Sequence, residues 1–335
     1  MKIKLLDLFS GIGGFHLGLE QAGFTVKSYN SEIDKHAISV YKNNFKNSTY
    51  VGSVTNVRGG ELPRIDAITF GSPCQDFSIA GKRKGMEGER SSLILEAIRL
   101  IQECQPRFFI WENVKGTFSS NSGEDFAAIL QAFANIGDYR LEWQLLNTSW
   151  FLPQNRERVY LVGYLRGKPG REVFPIGENS VEAIKLQRQQ GNVNCITTRY
   201  YGSQGVGGYI IKRKFDKQEK EDIIIKTNTK KGYDAIKPGD SLNYAQPTSK
   251  TRRGRVGKGI AQTLDTGVQQ AVYTDRLRRL TPIECERLQG FPDNWTKYGD
   301  KGEISDAQRY KMLGNAVTVD VVKAVGKRLL YVFGK

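Results

Sequence analysis

The sequence predicts an α/β fold: a doubly wound, mostly parallel, Rossmann-like sheet with a second, smaller, irregular β-leaning domain. Three observations carry this. Strand-like and helix-like segments alternate through the first half of the chain, a glycine-rich turn follows the first strand, and the composition changes near residue 174. A length of 335 residues suits one large domain or two ordinary ones.

Residues 2–9 (KIKLLDLF) form an apolar strand, broken by Ser10-Gly11-Ile12-Gly13-Gly14. A helix begins near Phe15 and stops at Gly23, a residue type that suits the left-handed helix terminus. A strand over 25–31 and a helix over 34–44 follow, with Asp34 placed to cap the helix. Then come a strand at 65–70, an amphipathic helix at 91–103, a strand at 107–111, a helix at 124–136 and a strand at 159–165. From residue 174 to about 273 the chain is rich in Gly, Lys, Arg, Thr and Asn. It offers short strand candidates at 208–211 and 222–225, and a polar stretch near 181–190. Helical character returns at Thr281-Pro282-Ile283-Glu284, which reads as a capped start with proline in first position. Val317, Val321, Val325 and Leu329 recur every fourth residue, as the apolar face of a final helix does.

Fifty Lys and Arg against 35 Asp and Glu give a formal net charge of +15. That surplus suits a polyanionic partner, and it equally serves solubility. No apolar run approaches the ~20 residues of a membrane-spanning helix. Asp7 and the glycines occupy the place where a signal peptide needs its apolar core, so a cytoplasmic protein is expected. Cys74, Cys104, Cys195 and Cys285 are far apart and only two histidines are present, which argues against a zinc site or a disulfide framework. No metal and no membrane are therefore expected as partners. The basic residues cluster at 212–220, where acids dilute them, and at 250–258, where none intervenes and glycines let a backbone approach phosphate.

The glycine turn lies where an α/β fold places its ligand crevice. The dinucleotide pattern GxGxxG would need a third glycine at position 16, which is His16, so the loop favours a nucleoside cofactor over a pyrophosphate. Glu32 follows the second strand, placed either to accept from ribose hydroxyls or simply as a surface acid. Cys74 follows Pro73 on a loop at the end of the third clear strand, an exposed position that suits a reactive thiolate better than a packing cysteine. The loop runs on through Ser78, Lys82, Lys84 and Arg90, basic and glycine-rich enough to close over an anion. Glu112, after the strand Phe108-Phe109-Ile110-Trp111, is a candidate desolvated acid or a helix cap. Arg156 and Arg158 are candidate oxygen ligands or members of an exposed charge cluster.

In this order the segments closely resemble the cytosine-C5 DNA methyltransferases of bacterial and phage type, including those of restriction-modification systems. Asp7-Leu8-Phe9-Ser10-Gly11-Ile12-Gly13-Gly14 is similar to the family's cofactor loop, Gly71-Ser72-Pro73-Cys74-Gln75 to its nucleophile motif and Glu112-Asn113-Val114 to its acid motif. Gln154-Asn155-Arg156-Glu157-Arg158 resembles QxRxR. Arg279 to Pro282 with Gln289 to Pro292, and Leu313-Gly314-Asn315-Ala316-Val317, resemble the closing motifs. The resemblance covers residues 3–166 and 277–330. It implies a catalytic and cofactor-binding domain over 1–175 plus 300–335, and a target-recognition domain with hinge over 176–299.

It further implies sequence-specific methylation of C5 of a cytosine flipped out of double-stranded DNA, with S-adenosylmethionine as methyl donor. Cys74 would attack C6, Glu112 would hydrogen-bond or protonate N3, and Arg158 would hold O2 with Arg156 in support. Phe9, Gly11, Gly13, Glu32, Ile33, Ser53, Pro73, Asn315 and Val317 would form the cofactor site. Ser78, Lys82, Lys84, Arg90, Arg252, Arg253, Arg255 and Thr263 would contact DNA, the three middle arginines through bases or phosphates alike. A monomer is expected. Two departures stand out. Ser53 occupies the place of the acid that usually binds the adenine amino group, and Ile33 that of an aromatic. Methylation of RNA is the alternative within the class, and a catalytically silent DNA-binding relative lies outside it. Cys74, Glu112 and Arg158 together argue against the silent relative. A nicotinamide dehydrogenase fails at His16.

Overall fold

A computed structural model describes residues 1–72, 92–165, 170–177, 210–211, 223–227, 230–245 and 255–334. Pro73, Cys74, Ser78, Lys82, Lys84, Arg90, Cys195, Arg252, Arg253, the polar stretch near 181–190 and the 212–220 basic cluster lie outside the described residues. Arg255 is placed by its backbone alone.

The first half alternates as its apolar runs dictate: β1 (Lys2–Leu8), α1 (Gly14–Ala22), β2 (Thr25–Ser31), α2 (Lys35–Asn44), β3 (Thr49–Gly52), β4 (Ala67–Gly71), α3 (Ser92–Cys104), β5 (Phe108–Val114), α4 (Glu124–Ala134), β6 (Tyr139–Asn147), β7 (Gln154–Asn155) and β8 (Glu157–Leu165). Gly23 ends α1 in the left-handed conformation, and the Asp34 side chain caps α2 by accepting from the His36 and Ala37 amides. The seven-stranded sheet has the order β3-β2-β1-β4-β5-β8-β6. Strands β3 to β5 are mutually parallel, and β8 runs antiparallel to both its neighbours. Strand order reverses between β1 and β4, the switch point where such sheets open a crevice.

Alternation along the strands divides the core. Leu5, Phe108, Ile110, Tyr160 and Val162 join one apolar layer. Leu6, Leu8, Ile68, Phe109, Trp111 and Leu161 join the other, packed with helix residues such as Ala97, Ile101 and Phe133.

Two elements at the sheet's edges had no assignment from the sequence. In β6 the pattern YRLEWQLLN shows no clean alternation, because this edge strand uses its polar residues as ties. The Glu142 carboxylate accepts from the Val173 and Phe174 amides at 2.9 and 3.0 Å. Gln144 exchanges two hydrogen bonds with the backbone of Ile176, both at 2.8 Å, so a passing segment covers the edge. β3 is too short to declare itself.

Beyond β8 lie β9 (Ile210–Ile211), β10 (Ile223–Lys226) and β11 (Tyr233–Ile236), which make a small antiparallel sheet. β12 (Ser241–Asn243), β13 (Arg255–Gly257), β15 (Gln270–Tyr273) and β16 (Leu277–Arg279) make another, while β14 (Ala261–Gln262) pairs with β7. The chain then forms α5 (Pro282–Leu288), the hairpin β17 (Tyr298–Gly299) and β18 (Gly302–Glu303), α6 (Asp306–Asn315) and α7 (Val319–Val332). A complete capping box between Thr281 and Glu284 starts α5. Helix α7 folds back on α1. A Cβ on Gly18 would stand 2.6 Å from Val322, and one on Gly326 would stand 2.8 Å from Ala22, so glycines let these two helices approach. Apolar residues of segment 261–291 share a core with Ile12, Ala37, Val40 and Leu313, placing that segment against the glycine turn and α2.

Candidate active site

One end of the sheet gathers the predicted chemistry. Pairing sets Gly71 beside Glu112, and Val114 beside Arg158. Because β8 is antiparallel, its first residues reach the same rim as the last residues of β4 and β5. There Arg158 Nε lies 3.2 Å from Glu112 Oε1, and both side chains are largely buried. A Cβ on Gly71 would stand 3.1 Å from Glu112 Oε2, so glycine gives the carboxylate its room. Ser72 is held by two side chains. Trp111 Nε1 donates to its hydroxyl at 3.1 Å, and the Asn113 amide reaches both its hydroxyl and its carbonyl at 3.4 Å. This buried anchor fixes the chain immediately before Pro73-Cys74.

A cavity of about 610 Å³ continues from this pair to the glycine loop, lined among others by Phe9, Gly11, Glu32, Ile33, Ser53, Glu112, Arg158 and Asn315. Phe9 has φ 50, a costly conformation for a residue with a side chain and one concentrated at functional sites. Gly11 has φ 51 and faces open space: nothing lies within 4 Å of where a Cβ would stand. Glu32 accepts from the Gly11, Ile33 and Asp34 amides at 2.9, 2.8 and 2.9 Å, so it anchors the loop while lining the cavity. Ile33 is 80% exposed, an apolar side chain at the cavity lip without protein cover. The Ser53 hydroxyl lies 3.0 Å from that of Thr55. A glycine cradle, an acid beyond β2 and an uncovered apolar side chain fit a nucleoside with a short polar tail.

Several predicted positions differ. Arg156 is a clamp: its guanidinium donates to the carbonyls of Leu264, Gly314 and Ala316 at 3.2, 3.3 and 3.0 Å, and only 3% of the residue is exposed. It also lines the cavity beside Arg158, as a supporting residue would. Arg156→Ala strips three buried carbonyls of charged donors, each worth about 1.5–3 kcal/mol. Urea unfolding is expected to show a loss of about 3–5 kcal/mol; a loss below about 1 kcal/mol contradicts the clamp. Gln154 closes the same seam, accepting from the Leu264 amide at 3.0 Å and donating to the Leu288 carbonyl at 2.8 Å. The Thr263 hydroxyl donates to the Asn155 carbonyl at 2.7 Å, which ties the segment after β14 to β7 and occupies the hydroxyl proton expected for DNA. Val317 is buried against Gly14 and packs in the core rather than lining the cavity. Lys258, in the basic stretch expected to meet phosphate, lies 3.4 Å from Asp240, which the pairing of β12 with β13 brings close, and 3.7 Å from Asp234 on β11 of the neighbouring sheet.

Sequence reasoning missed one pair on the cavity wall. Lys311 on α6 reaches Asp34 at 2.7 Å. Burial opposes ionisation of Asp34, yet the bonds from Lys311 and from the His36 and Ala37 amides hold its carboxyl below the usual range. No spacing could announce a contact between residues so distant in sequence. Cys285 is fully buried, and burial raises the Cys104 thiol to about 11, so both behave as packing residues. Among the described residues no group of three or more metal-ligating side chains is found, and no helix is long and apolar enough to cross a membrane.

A family model of C-5 cytosine-specific DNA methylases matches residues 3–331. The chain is 32% identical to the type II methyltransferase M1.ScrFI of Lactococcus lactis subsp. cremoris, over 100% of this chain and 79% of that protein. It is also 32% identical to the type II methyltransferase M.HpaII of Haemophilus parainfluenzae, over 99% and 90%. Its fold is similar to that of a putative DNA modification methyltransferase encoded within an E. coli prophage. There the TM-score is 0.66 at 23% identity, with 99% of this chain and 100% of that chain covered.

Proposed function

The chain belongs to the C-5 cytosine-specific DNA methylase family, and on that premise we propose which residues perform its chemistry and how the chain divides the work. It is a DNA methyltransferase that uses S-adenosylmethionine, which supplies an electrophilic methyl group at the cavity between the glycine loop and Glu112. The observation that carries the assignment is the Glu112–Arg158 pair, which lines the cavity beside the anchored approach to Cys74. Cytosine C5 is a weak nucleophile. A thiolate of Cys74 bonding to C6 makes C5 an enamine carbon, Glu112 serves N3, and Arg158 holds O2. When C5 takes the methyl group the donor would depart as its thioether; C5 then gives its proton to water, and the electron pair left behind forms the C5–C6 double bond as the C6–sulfur bond breaks to free Cys74.

Residues 1–175 and 300–335 form the catalytic part of this reading, and residues 176–299 the recognition part. The seam at Thr263, Leu264 and Arg156 couples the two. Arg252, Arg253 and Arg255 act in recognition, and Ser78, Lys82, Lys84 and Arg90 grip DNA around the flipped base. The enzyme works as a monomer.

The test is base-resolution methylation mapping after expression in a methylation-free host. C5-methylcytosine within one recurrent DNA sequence is expected, and methyl label confined to RNA overturns the reading. DNA affinity should also fall steeply with salt. Six phosphate contacts would give a log–log slope of about −5, and a flat response would remove phosphate contact from the recognition part.

A further inference from the structure

The glycine loop faces the cavity on one side, and its shape is set from the other. Gly11 and Gly13 take positive φ, 51 and 87, and nothing stands within 4 Å of where Gly11 would carry a Cβ. Backbone of this kind has wide conformational freedom of its own. On the cavity side the Gly11 amide donates to Glu32. On the far side three aromatic side chains close on the loop. The Trp295 indole Nε1 donates to the Ile12 carbonyl at 3.0 Å. The Phe45 ring fills the space where Gly13 would carry a Cβ, and the Phe291 ring stands 3.3 Å from the corresponding point on Gly14. Both rings pack against Trp295, with centroids 5.5 and 5.6 Å away. Trp295 therefore joins all three contacts, although it does not itself line the cavity.

The Ile12–Gly13 peptide is held at both ends. Its carbonyl accepts from Trp295, and its amide, that of Gly13, donates to the Ser10 carbonyl at 2.9 Å. With both ends tied the plane of the peptide is fixed, and the loop holds one shape before any ligand arrives.

The turn that carries Trp295 is locked in its own right. Glu286 on α5 is fully buried, and its carboxylate accepts from the Asn294 and Thr296 amides at 2.7 and 2.8 Å and from the Thr296 hydroxyl. Arg309 on α6 lies 3.0 Å from the same carboxylate and compensates its burial. Asn294 has φ 62, a conformation that asparagine tolerates better than most residues. The Asn44 side chain, at the end of α2, donates to the Trp295 carbonyl at 3.1 Å. These ties aim the indole N–H at Ile12.

We propose that Trp295 is a positioning residue for the methyl donor: its N–H, held from outside the cavity, fixes the Ile12–Gly13 peptide and so presets the glycine loop for the cofactor. The inference rests on the cofactor-site reading above. A loop already in its bound shape loses little freedom on binding and binds more tightly for it. Removing the N–H leaves the Ile12 carbonyl short of a donor and lets the peptide swing. The loss falls on cofactor binding, since the Glu112–Arg158 pair and the Ser72 anchor are tied by other contacts.

Trp295→Phe tests this, because phenylalanine keeps an aromatic ring between Phe45 and Phe291 and loses the donor. Calorimetric titration of the full chain with S-adenosylhomocysteine should show binding weakened by about tenfold. In transfer assays the KM for S-adenosylmethionine should rise by a similar factor, while kcat at saturating donor and the affinity for DNA stay within about twofold of wild type. Urea unfolding reports whether the variant is folded under the assay conditions. In folded Trp295→Phe, S-adenosylhomocysteine affinity within about twofold of wild type overturns the proposal, as does a fall in kcat with KM unmoved. Should Trp295→Phe not fold, Asn44→Ala takes its place. It frees the Trp295 carbonyl and should weaken S-adenosylhomocysteine by about fivefold, and an unchanged affinity there overturns the proposal. Absence of S-adenosylhomocysteine binding by the wild-type chain would instead refute the cofactor-site reading.

Discussion

Cys74→Ala will lower methyl transfer to cytosine by about four orders of magnitude or more while leaving DNA affinity within a few-fold of wild type. The argument is chemical. Without a covalent bond at C6, C5 stays part of an aromatic ring with little nucleophilicity, and no neighbouring group can take over. Glu112 and Arg158 are bonded to each other and can polarise the base, but neither can add to it. The substitution removes only one sulfur atom from a loop whose approach is fixed at Ser72 by Trp111 and Asn113, so the surrounding site should persist. Single-turnover transfer of labelled methyl from S-adenosylmethionine, read beside a DNA-binding titration, gives both quantities. Turnover within about tenfold of wild type would remove Cys74 from the reaction.

How much of this was legible depended on whether a contact is local. Apolar runs such as Phe108-Phe109-Ile110-Trp111 could only be buried strands, and Asp34 and Gly23 marked helix ends through chemistry confined to one turn. The resemblance supplied Glu112 and Arg158 as partners, because nothing local in either segment points to the other. Arg156 shows the limit. It stands two residues from Arg158 in the same motif and lines the same cavity, yet its guanidinium is held by three carbonyls contributed by segments 264 and 314–316. Lys258 shows the converse, since a basic run without acids in sequence acquires Asp240 once β12 and β13 pair, and Asp234 from the neighbouring sheet. β6 was hidden because its polar residues bond a covering segment, which erases the alternation that marks a half-buried strand.

Glu112→Gln should lower the single-turnover rate by about two to four orders of magnitude, with a much smaller change in KM for DNA. A glutamine amide can still donate a hydrogen bond to N3 and can fill the space beside Gly71, where a Cβ would come within 3.1 Å of the carboxylate. It cannot deliver a proton, so the loss should fall on the chemical step. It also leaves Arg158 facing a neutral partner in place of the carboxylate 3.2 Å away. Arg158→Lys should be harmful for the complementary reason, since a compact ammonium cannot span the carboxylate and the base oxygen as a planar fork does. On the proposed roles the two groups act on one ring through one ion pair, and the double variant should therefore be far less impaired than the product of the single losses. Additive losses would mean that Glu112 and Arg158 act separately. A defect confined to KM would mean that the pair binds the base without activating it.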